Sequence, residues 1–463
     1  MSASAPAPHP LSPVRAAARE LLDPTLLRDS LRVARADATA AAAVRVGLAA
    51  GLAITVPALA GHREAAAFAA LGALTSLYGR HDTYRRRAAV LTLVGVLMTG
   101  SVAAFTVVAA LGTPTAVTFL LMSLLAAAST ALVLLLRTGA PGATIVVFCA
   151  GAGVAGAPAL ADVAPRTLAG AFGALLAWVV CMAGALVRPT APARLAVRRA
   201  GAAVAHALAS GDAGSRAAAE AALDAATAAL ADDASWRRTR PTALTLATDV
   251  ATMRSLLRDS TGPAPGAALP ARTTLRAQAR AAAPGPGWRL ATARVAAGGV
   301  AASAVSTLLG LGHASWAVMG STAVLQGTTA RHMAVRALQR AAGTAVGALG
   351  VAYPLLAADL GFWTTAAVVV ACQVLTEVVV ARHYGLAQVL IAPMALLMTA
   401  LGAPADPASL ATDRALDTAV GAGAGLLAVL LVHRYGRRRA AVRPWHRRRQ
   451  RHPKAASTEN RAD

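Results

Sequence analysis

Long apolar blocks recur along the whole 463-residue chain, and they constrain its fold more than any other feature. A helix needs about 20 mostly apolar residues to cross a bilayer core of roughly 30 Å. Blocks such as Ala89–Leu111 and Thr115–Leu136 have that length and carry no charge. Because lipid offers no hydrogen bonds, such blocks should be helices, and their weak alternation disfavours a β-barrel. The sequence therefore predicts an all-α polytopic membrane protein.

Twelve blocks are candidate spans, six in each half of the chain. The second and the eighth are short for a full crossing, which indicates a tilted, broken or partly re-entrant helix. The candidate spans lie near Ala38–Leu59, Ala65–Tyr78, Ala89–Leu111, Thr115–Leu136, Ala143–Leu160, Thr167–Leu186, Thr292–Leu311, Ser315–Gln326, Ala341–Ala358, Phe362–Val380, Leu386–Leu401 and Ala415–Val432.

The positive charge sets the expected orientation. The net charge is +23, but its Arg residues flank the apolar blocks and fill the two ends and the middle of the chain. This is the pattern of the positive-inside rule, so we predict a lipid bilayer partner rather than nucleic acid. Both termini and the middle segment should be cytoplasmic. The Ala-rich, Arg-for-Lys usage is typical of a high-GC bacterial genome, which indicates the cytoplasmic membrane of a bacterium.

The two halves share features in the same order, which predicts an internal duplication. Six spans per half is an even number, so the two copies should face the same way, as a parallel repeat. The paired features are Gly61-His62 with Gly312-His313, Arg80-His81 with Arg331-His332, Arg85 with Arg336, Arg137 with Arg382, and Arg166 and Gly173 with Arg414 and Gly421.

These observations divide the chain into five parts. Residues 188–290 are Ala-rich with scattered charges, which predicts a cytoplasmic segment of helices between the two membrane halves. The parts are a cytoplasmic N-terminal segment (1–37), the first transmembrane half (38–187), the helical segment (188–290), the second transmembrane half (291–434) and a basic cytoplasmic tail (435–463).

The second half carries a series of short motifs. They are Trp316-Ala-Val-Met-Gly320, Leu338-Gln339-Arg340 before Gly343-Thr344, Tyr384-Gly385-Leu386-Ala387-Gln388, and Arg414-Ala-Leu-Asp417-Thr418. Together they resemble the membrane module of the fusaric acid resistance and aromatic acid exporter family, most strongly over Arg294–Tyr435. The resemblance implies efflux of small, often aromatic or carboxylated compounds, although some relatives of the superfamily are anion channels. The first half departs from it, since Ala169 stands where Asp417 stands in the second.

Ionisable residues inside apolar blocks are expensive and mark candidate functional positions. Arg414 and Asp417 share one helix face, so they either form an anchoring ion pair or attract and release an anionic substrate. Glu377, one turn after Gln373, either pairs with Arg382 or another Arg, or accepts a proton in the pathway. Trp316 is either an interfacial anchor or a stacking surface. The transport-pathway candidates are Arg414, Asp417, Thr418, Glu377, Gln373, Gln388 and Trp316.

A cytoplasmic basic cluster is predicted from Arg80, Arg85, Arg331, Arg336 and Arg340. These residues either orient the protein or form a basic vestibule that gathers carboxylates. GxxxG faces such as Gly421/Gly425 indicate packing within the bundle, or alternatively the seam of a homodimer.

Transport is favoured over catalysis. The chain lacks a Walker A motif and a GxSxG elbow, and its His residues lack metal-ligand spacing. We therefore expect no enzyme activity, no cofactor and no metal. Buried carboxylates favour a proton-driven exporter of small organic compounds, with an anion channel and a non-transporting scaffold as alternatives.

Overall fold

A computed structural model describes residues 25–33, 40–258, 268–327, 329–402 and 406–441, and every regular element within them is a helix. Most of the predicted N-terminal segment and of the basic tail lies outside these ranges. The N-terminal segment contains α1 (Thr25–Ser30). The first half contains α2 (Ala40–Leu59), α3 (Ala66–Ala73), α4 (Tyr84–Ala110), α5 (Thr115–Leu136), α6 (Thr144–Val154) and α7 (Val163–Val187).

The middle segment contains α8 (Ala191–Ser210), α9 (Ala213–Ala234), α10 (Arg240–Leu257) and α11 (Leu275–Ala282). The second half contains α12 (Gly287–Leu308), α13 (Ala314–Val324), α14 (Ala330–Ala345), a π-helical turn (Val346–Ala352), α15 (Tyr353–Ala357), α16 (Gly361–Val379), α17 (Tyr384–Gly402) and α18 (Pro407–Ala441). We call α2–α7 the first helix set and α12–α18 the second helix set.

Six helices in the described part of the chain are long and apolar enough to cross a membrane, where the sequence predicted twelve spans. The six are α2, α4, α5, α7 with its preceding turn, α16 and α17. Helices α3, α6 and α13 have only 8, 11 and 11 residues. At about 1.5 Å per residue they are too short for a bilayer core. Helices α14 and α18 instead carry buried charged residues, and α12 carries two Arg in its first eight residues.

The same packing order occurs in both helix sets. In the first, α3 packs between α2 and α7, and α4 packs on α6 and α7. In the second, α13 packs between α12 and α18, and α14 packs on α17 and α18. The sets also meet reciprocally, since α5 packs on α12 while α16 packs on α2. The short helices α3 and α13 are thus enclosed by protein, which is where interrupted helices are tolerated in membranes.

Small residues allow the close packing of the short helices. A Cβ atom on Gly173 of α7 would overlap the carbonyl oxygen of Ala69 in α3, and one on Gly421 of α18 would overlap that of Ala317 in α13. Of the GxxxG pairs, Gly421/Gly425 therefore packs within the bundle, as small faces do between membrane helices.

The middle segment has a core of its own and docks on the loop before α4. Leu223, Leu230 and Val250 lie in this core. Asp232 at the end of α9 accepts hydrogen bonds from the Thr83 hydroxyl and, at 2.5 Å, from Nε of Arg272. Arg85 donates to the carbonyl oxygen of Ser235 at 2.9 Å. These contacts place the loop before α4 and the middle segment on the same side of the bundle.

Asp233, at the end of α9, makes the stability of the chain sensitive to pH. Burial, followed by the neighbouring Asp232 carboxylate, raises the pKa of Asp233 to about 7. The folded chain therefore holds this proton more tightly than the unfolded chain does. The stability that the chain gains from holding this proton is complete below about pH 4, and it is lost as the pH rises through the pKa of Asp233 in the folded chain. We expect the thermal stability of the purified full chain to fall as the pH rises from about 5 to 8, and Asp233→Asn to flatten this profile. An equally steep profile in Asp233→Asn would contradict the assignment.

Candidate functional site

Three arginines surround one tyrosine between α14, α17 and α18. The guanidinium of Arg336 lies 4.1 Å from the ring centroid of Tyr384. Nη1 of Arg340 donates to the Tyr384 hydroxyl at 2.9 Å and to Oε1 of Gln388 at 3.5 Å. Arg414 interacts electrostatically with both Arg340 and Tyr384. We call Arg336, Arg340, Tyr384 and Arg414 the arginine–tyrosine cluster.

Arg414 is buried beneath an aromatic stack. Only 1% of the residue is exposed, and its guanidinium lies 5.0 Å from the ring centroid of Trp316. The imidazole of His313 stacks on the same Trp at a centroid distance of 4.2 Å, and its Nδ1 lies 2.9 Å from a carboxylate oxygen of Asp413. Nε and Nη1 of Arg414 are buried without a hydrogen-bond partner. Trp316 itself is buried against these side chains, with 6% of the residue exposed.

Asp417 and Thr418 add unsatisfied polar atoms on the same helix. Oδ1 of Asp417 accepts a hydrogen bond from the Ser306 hydroxyl of α12, while its Oδ2 has no hydrogen-bond partner. The Thr418 hydroxyl is also buried without one. The ion pair considered between Arg414 and Asp417 does not form within the described residues. Asp417 turns to α12, whereas Arg414 turns to Trp316 on α13.

Asp417 interacts electrostatically with Arg414, but the three arginines of the region outnumber it. Within the described ranges, none of Arg336, Arg340 and Arg414 takes part in an ion pair, and Nε of Arg340 also lacks a hydrogen-bond partner. Burying a charge without partners is strongly unfavourable. Such an arrangement is typical of a functional site, where a ligand of opposite charge completes the missing contacts. The region combines hydrogen-bond donors on planar guanidiniums with neighbouring aromatic rings. This chemistry suits a carboxylate attached to a small aromatic ring.

The first helix set has a matching arginine whose hydrogen bonds are satisfied. Arg166 lies 4.9 Å from the ring centroid of Phe68, as Arg414 lies over Trp316. It donates to the carbonyl oxygens of Gly153 and Ala155 at 3.2 and 3.0 Å. The stack is therefore common to both sets, but the unpartnered cation occurs in the second.

Glu377 and Gln373 lie apart from the arginine–tyrosine cluster, where α16 packs on the first helix set. A carboxylate oxygen of Glu377 lies 3.0 Å from Nη1 of Arg80, and Nη2 of Arg80 donates to the Glu377 carbonyl oxygen at 3.4 Å. The sequence allowed Arg382 or another Arg as the partner of Glu377, and the structure shows Arg80 as that partner. Gln373 is buried with its Oε1 unpartnered. The pair therefore links the two halves of the chain.

We expect the Arg80–Glu377 pair to stabilise the contact between the halves. Glu377→Gln leaves a mostly buried cation and should lower the free energy of unfolding by up to about 3–5 kcal/mol. The double variant Arg80→Gln/Glu377→Gln should recover part of this loss. Denaturant unfolding of the four proteins of the cycle measures the coupling. Additive effects of the two substitutions would contradict the pairing.

The five residues of the predicted basic cluster do not form one vestibule. Arg85 binds Ser235 of the middle segment, and Arg80 binds Glu377. Nε of Arg331 donates to Asp29 of α1 at 2.9 Å. Arg340, placed by the sequence at the cytoplasmic surface, is only 3% exposed because it lies within α14 and faces the bundle. Arg336 and Arg340 thus belong with Arg414.

Some site residues were not among the candidates from sequence. Ser306 looks like a small packing residue in an apolar span, and no local signal marks it as the partner of Asp417. Tyr384 lies in one of the quoted motifs, but no role of its own was predicted for it from the sequence. The pairing of His313 with Asp413 joins residues 100 positions apart.

The apolar helices, together with a family match over residues 300–428, indicate a multi-pass membrane protein of the transporter type. Residues 300–428 match the family model described as fusaric acid resistance protein-like. The matched range contains Trp316, the whole arginine–tyrosine cluster and Asp417, which supports the resemblance seen in the sequence. No curated protein and no solved structure matches the chain.

Proposed function

We propose that this protein exports small aromatic carboxylates across the cytoplasmic membrane of a bacterium. The observation that carries the proposal is Arg414, a buried cation whose Nε and Nη1 have no hydrogen-bond partner. A carboxylate bound there would supply acceptors to Arg414 and to the unpartnered Nε of Arg340. Trp316 and Tyr384 would provide apolar surface for the aromatic body of the substrate. The match over residues 300–428 supports a transport role for this half.

Access to the site requires movement of the helices around it. Arg414, Asp417 and Thr418 are all buried in this conformation, so a substrate enters only when neighbouring helices separate. The interrupted helix α13 and the π-helical turn after α14 border the site, and π-helical turns occur frequently at functional sites. Alternating access would open the site to each side in turn.

The proton gradient is the proposed driving force, with two buried carboxylates as candidate carriers. Asp417 lies beside the substrate cation, so its protonation would change the charge that the substrate meets. Glu377 lies between the halves and would couple protonation to their separation. Measuring export against pH in Asp417→Asn and Glu377→Gln tests each carrier. A pH profile unchanged from that of the wild type would exclude the residue concerned.

We propose further that the two helix sets are a duplication with a shared orientation and that the middle segment and both termini are cytoplasmic. The recurring packing order and the matching Arg166–Phe68 and Arg414–Trp316 stacks support the duplication. The five domain boundaries taken from the sequence are part of this proposal. Homodimer formation stays a prediction.

Flux in proteoliposomes with and without an imposed pH gradient tests the transport mechanism. Gradient-dependent movement of benzoate or a related aromatic carboxylate is the expected result. Current that does not depend on the gradient would instead support an anion channel, the second candidate, which three arginines without an ion pair also favour. Absence of flux across a broad panel of aromatic and carboxylated compounds would leave the scaffold as the remaining function.

A further inference from the structure

An open groove of about 780 Å³ lies where the middle segment meets the first helix set. One wall is α4, including Thr92 and Val96, and a second wall is α7, including Trp178. The middle segment closes one end with Trp236 and Arg272, next to Arg85 at the start of α4. None of these residues belongs to the proposed substrate site, so the groove needs its own explanation.

The groove is apolar along its length and basic at one end. Val96 is 66% exposed although it lies on a helix apolar enough to span the membrane. Arg85 and Val96 are separated by 11 helical residues, or roughly 16 Å at about 1.5 Å per residue. Half of a bilayer core is about 15 Å thick. The groove therefore has the length of one leaflet, with its charge at the end where lipid headgroups lie.

The two arginines keep donors for an anion. Arg85 hydrogen-bonds to Ser235 through Nη1, and Arg272 pairs with Asp232 through Nε. Within the part of the chain that the structure describes, their other guanidinium nitrogens make no hydrogen bond. The planar guanidinium presents donors in a geometry that matches phosphate. Basic pockets between membrane helices bind anionic headgroups on this principle.

We propose that this groove binds one anionic phospholipid from the leaflet on the side of the middle segment. The phosphate contacts Arg85 and Arg272, an acyl chain lies along α4 beside Thr92 and Val96, and Trp178 and Trp236 flank the glycerol region as interfacial aromatic residues do. Because Arg85 is on the bundle and Arg272 is on the middle segment, the bound lipid fastens one to the other.

Native mass spectrometry of the delipidated full-length protein with phosphatidylglycerol or phosphatidylcholine tests this assignment. The wild type should prefer phosphatidylglycerol by roughly tenfold or more, since each Arg near the surface favours an anionic lipid by about fivefold. Thr92→Trp fills the apolar groove without removing either cation and should abolish this preference. The matched control is Leu175→Trp, an exposed position on α7 outside the groove, and it should bind like the wild type.

A second variant separates the headgroup from the chain. Arg85→Gln should lower the preference by about fivefold and leave weak binding of phosphatidylcholine intact. Equal binding of the two lipids by the wild type would overturn the proposal, as would an unchanged preference in Thr92→Trp. Displacement of the lipid by millimolar inorganic phosphate would also overturn it, because the site would then recognise a free anion.

Discussion

Arg414→Gln is expected to weaken binding of benzoate by at least roughly tenfold while the protein stays folded. A hydrogen bond to a charged group contributes about 1.5–3 kcal/mol, and about 1.4 kcal/mol is a factor of ten in affinity. In this structure Nε and Nη1 of Arg414 have no hydrogen bond to lose, and the structural contact that the substitution removes is the stack on Trp316. Equilibrium binding of radiolabelled benzoate to the purified protein, with thermal unfolding alongside, measures both quantities.

The matched control for Arg414 is Arg166, which also stacks on an aromatic ring but donates two hydrogen bonds from Nη1. Arg166→Gln breaks contacts to two carbonyl oxygens and should lower the free energy of unfolding by about 1.5–3 kcal/mol. Its affinity for benzoate should match that of the wild type. If Arg414→Gln binds benzoate as the wild type does, the buried cation is not the substrate contact.

Gly421→Val should prevent the second helix set from folding. A Cβ atom at Gly421 would overlap the carbonyl oxygen of Ala317, which belongs to the backbone of α13 and cannot rotate away as a side chain can. Overpacking of a tight core costs about 1–3 kcal/mol and occasionally more, and backbone contacts between helices fall at the upper end. Gly173→Val should act similarly through Ala69 in the first set. The yield of monodisperse protein on size-exclusion chromatography measures the effect.

Gly423 offers a control on the same helix. A Cβ atom there would meet no other atom within 4 Å, so Gly423→Val should accumulate at the wild-type level. If Gly421→Val yielded as much folded protein as Gly423→Val, the close contact between α13 and α18 would not be required, and the packing account would be wrong.

The sequence predicted the helical membrane class because span length and hydrophobicity are local properties. It also marked the second and eighth blocks as short, and the helices there, α3 and α13, have 8 and 11 residues. It did not mark the fifth block, where α6 ends after 11 residues inside apolar sequence. The apolar length of the fifth block does not reveal its interruption, because a helix enclosed by protein can be as apolar as a span.

The candidate site was predicted in part. Arg414, Asp417 and Trp316 were found from charge and motif, because ionisable residues in apolar helices are rare. Arg340 was assigned to the cytoplasmic surface. Its burial depends on where α14 begins, at Ala330, and on the packing of α17 and α18 around it, and the local sequence shows neither. The Arg80–Glu377 pair joins residues 297 positions apart, and no local pattern indicates such a contact.

A crystal structure of the protein with 4-bromobenzoate tests the central claim most directly, because bromine can be located by its anomalous scattering. The account predicts a bromine peak beside Trp316 and Tyr384, with carboxylate density in contact with Arg340 and Arg414. If the protein transports the compound but the bromine peak lies outside the arginine–tyrosine cluster, the account is wrong.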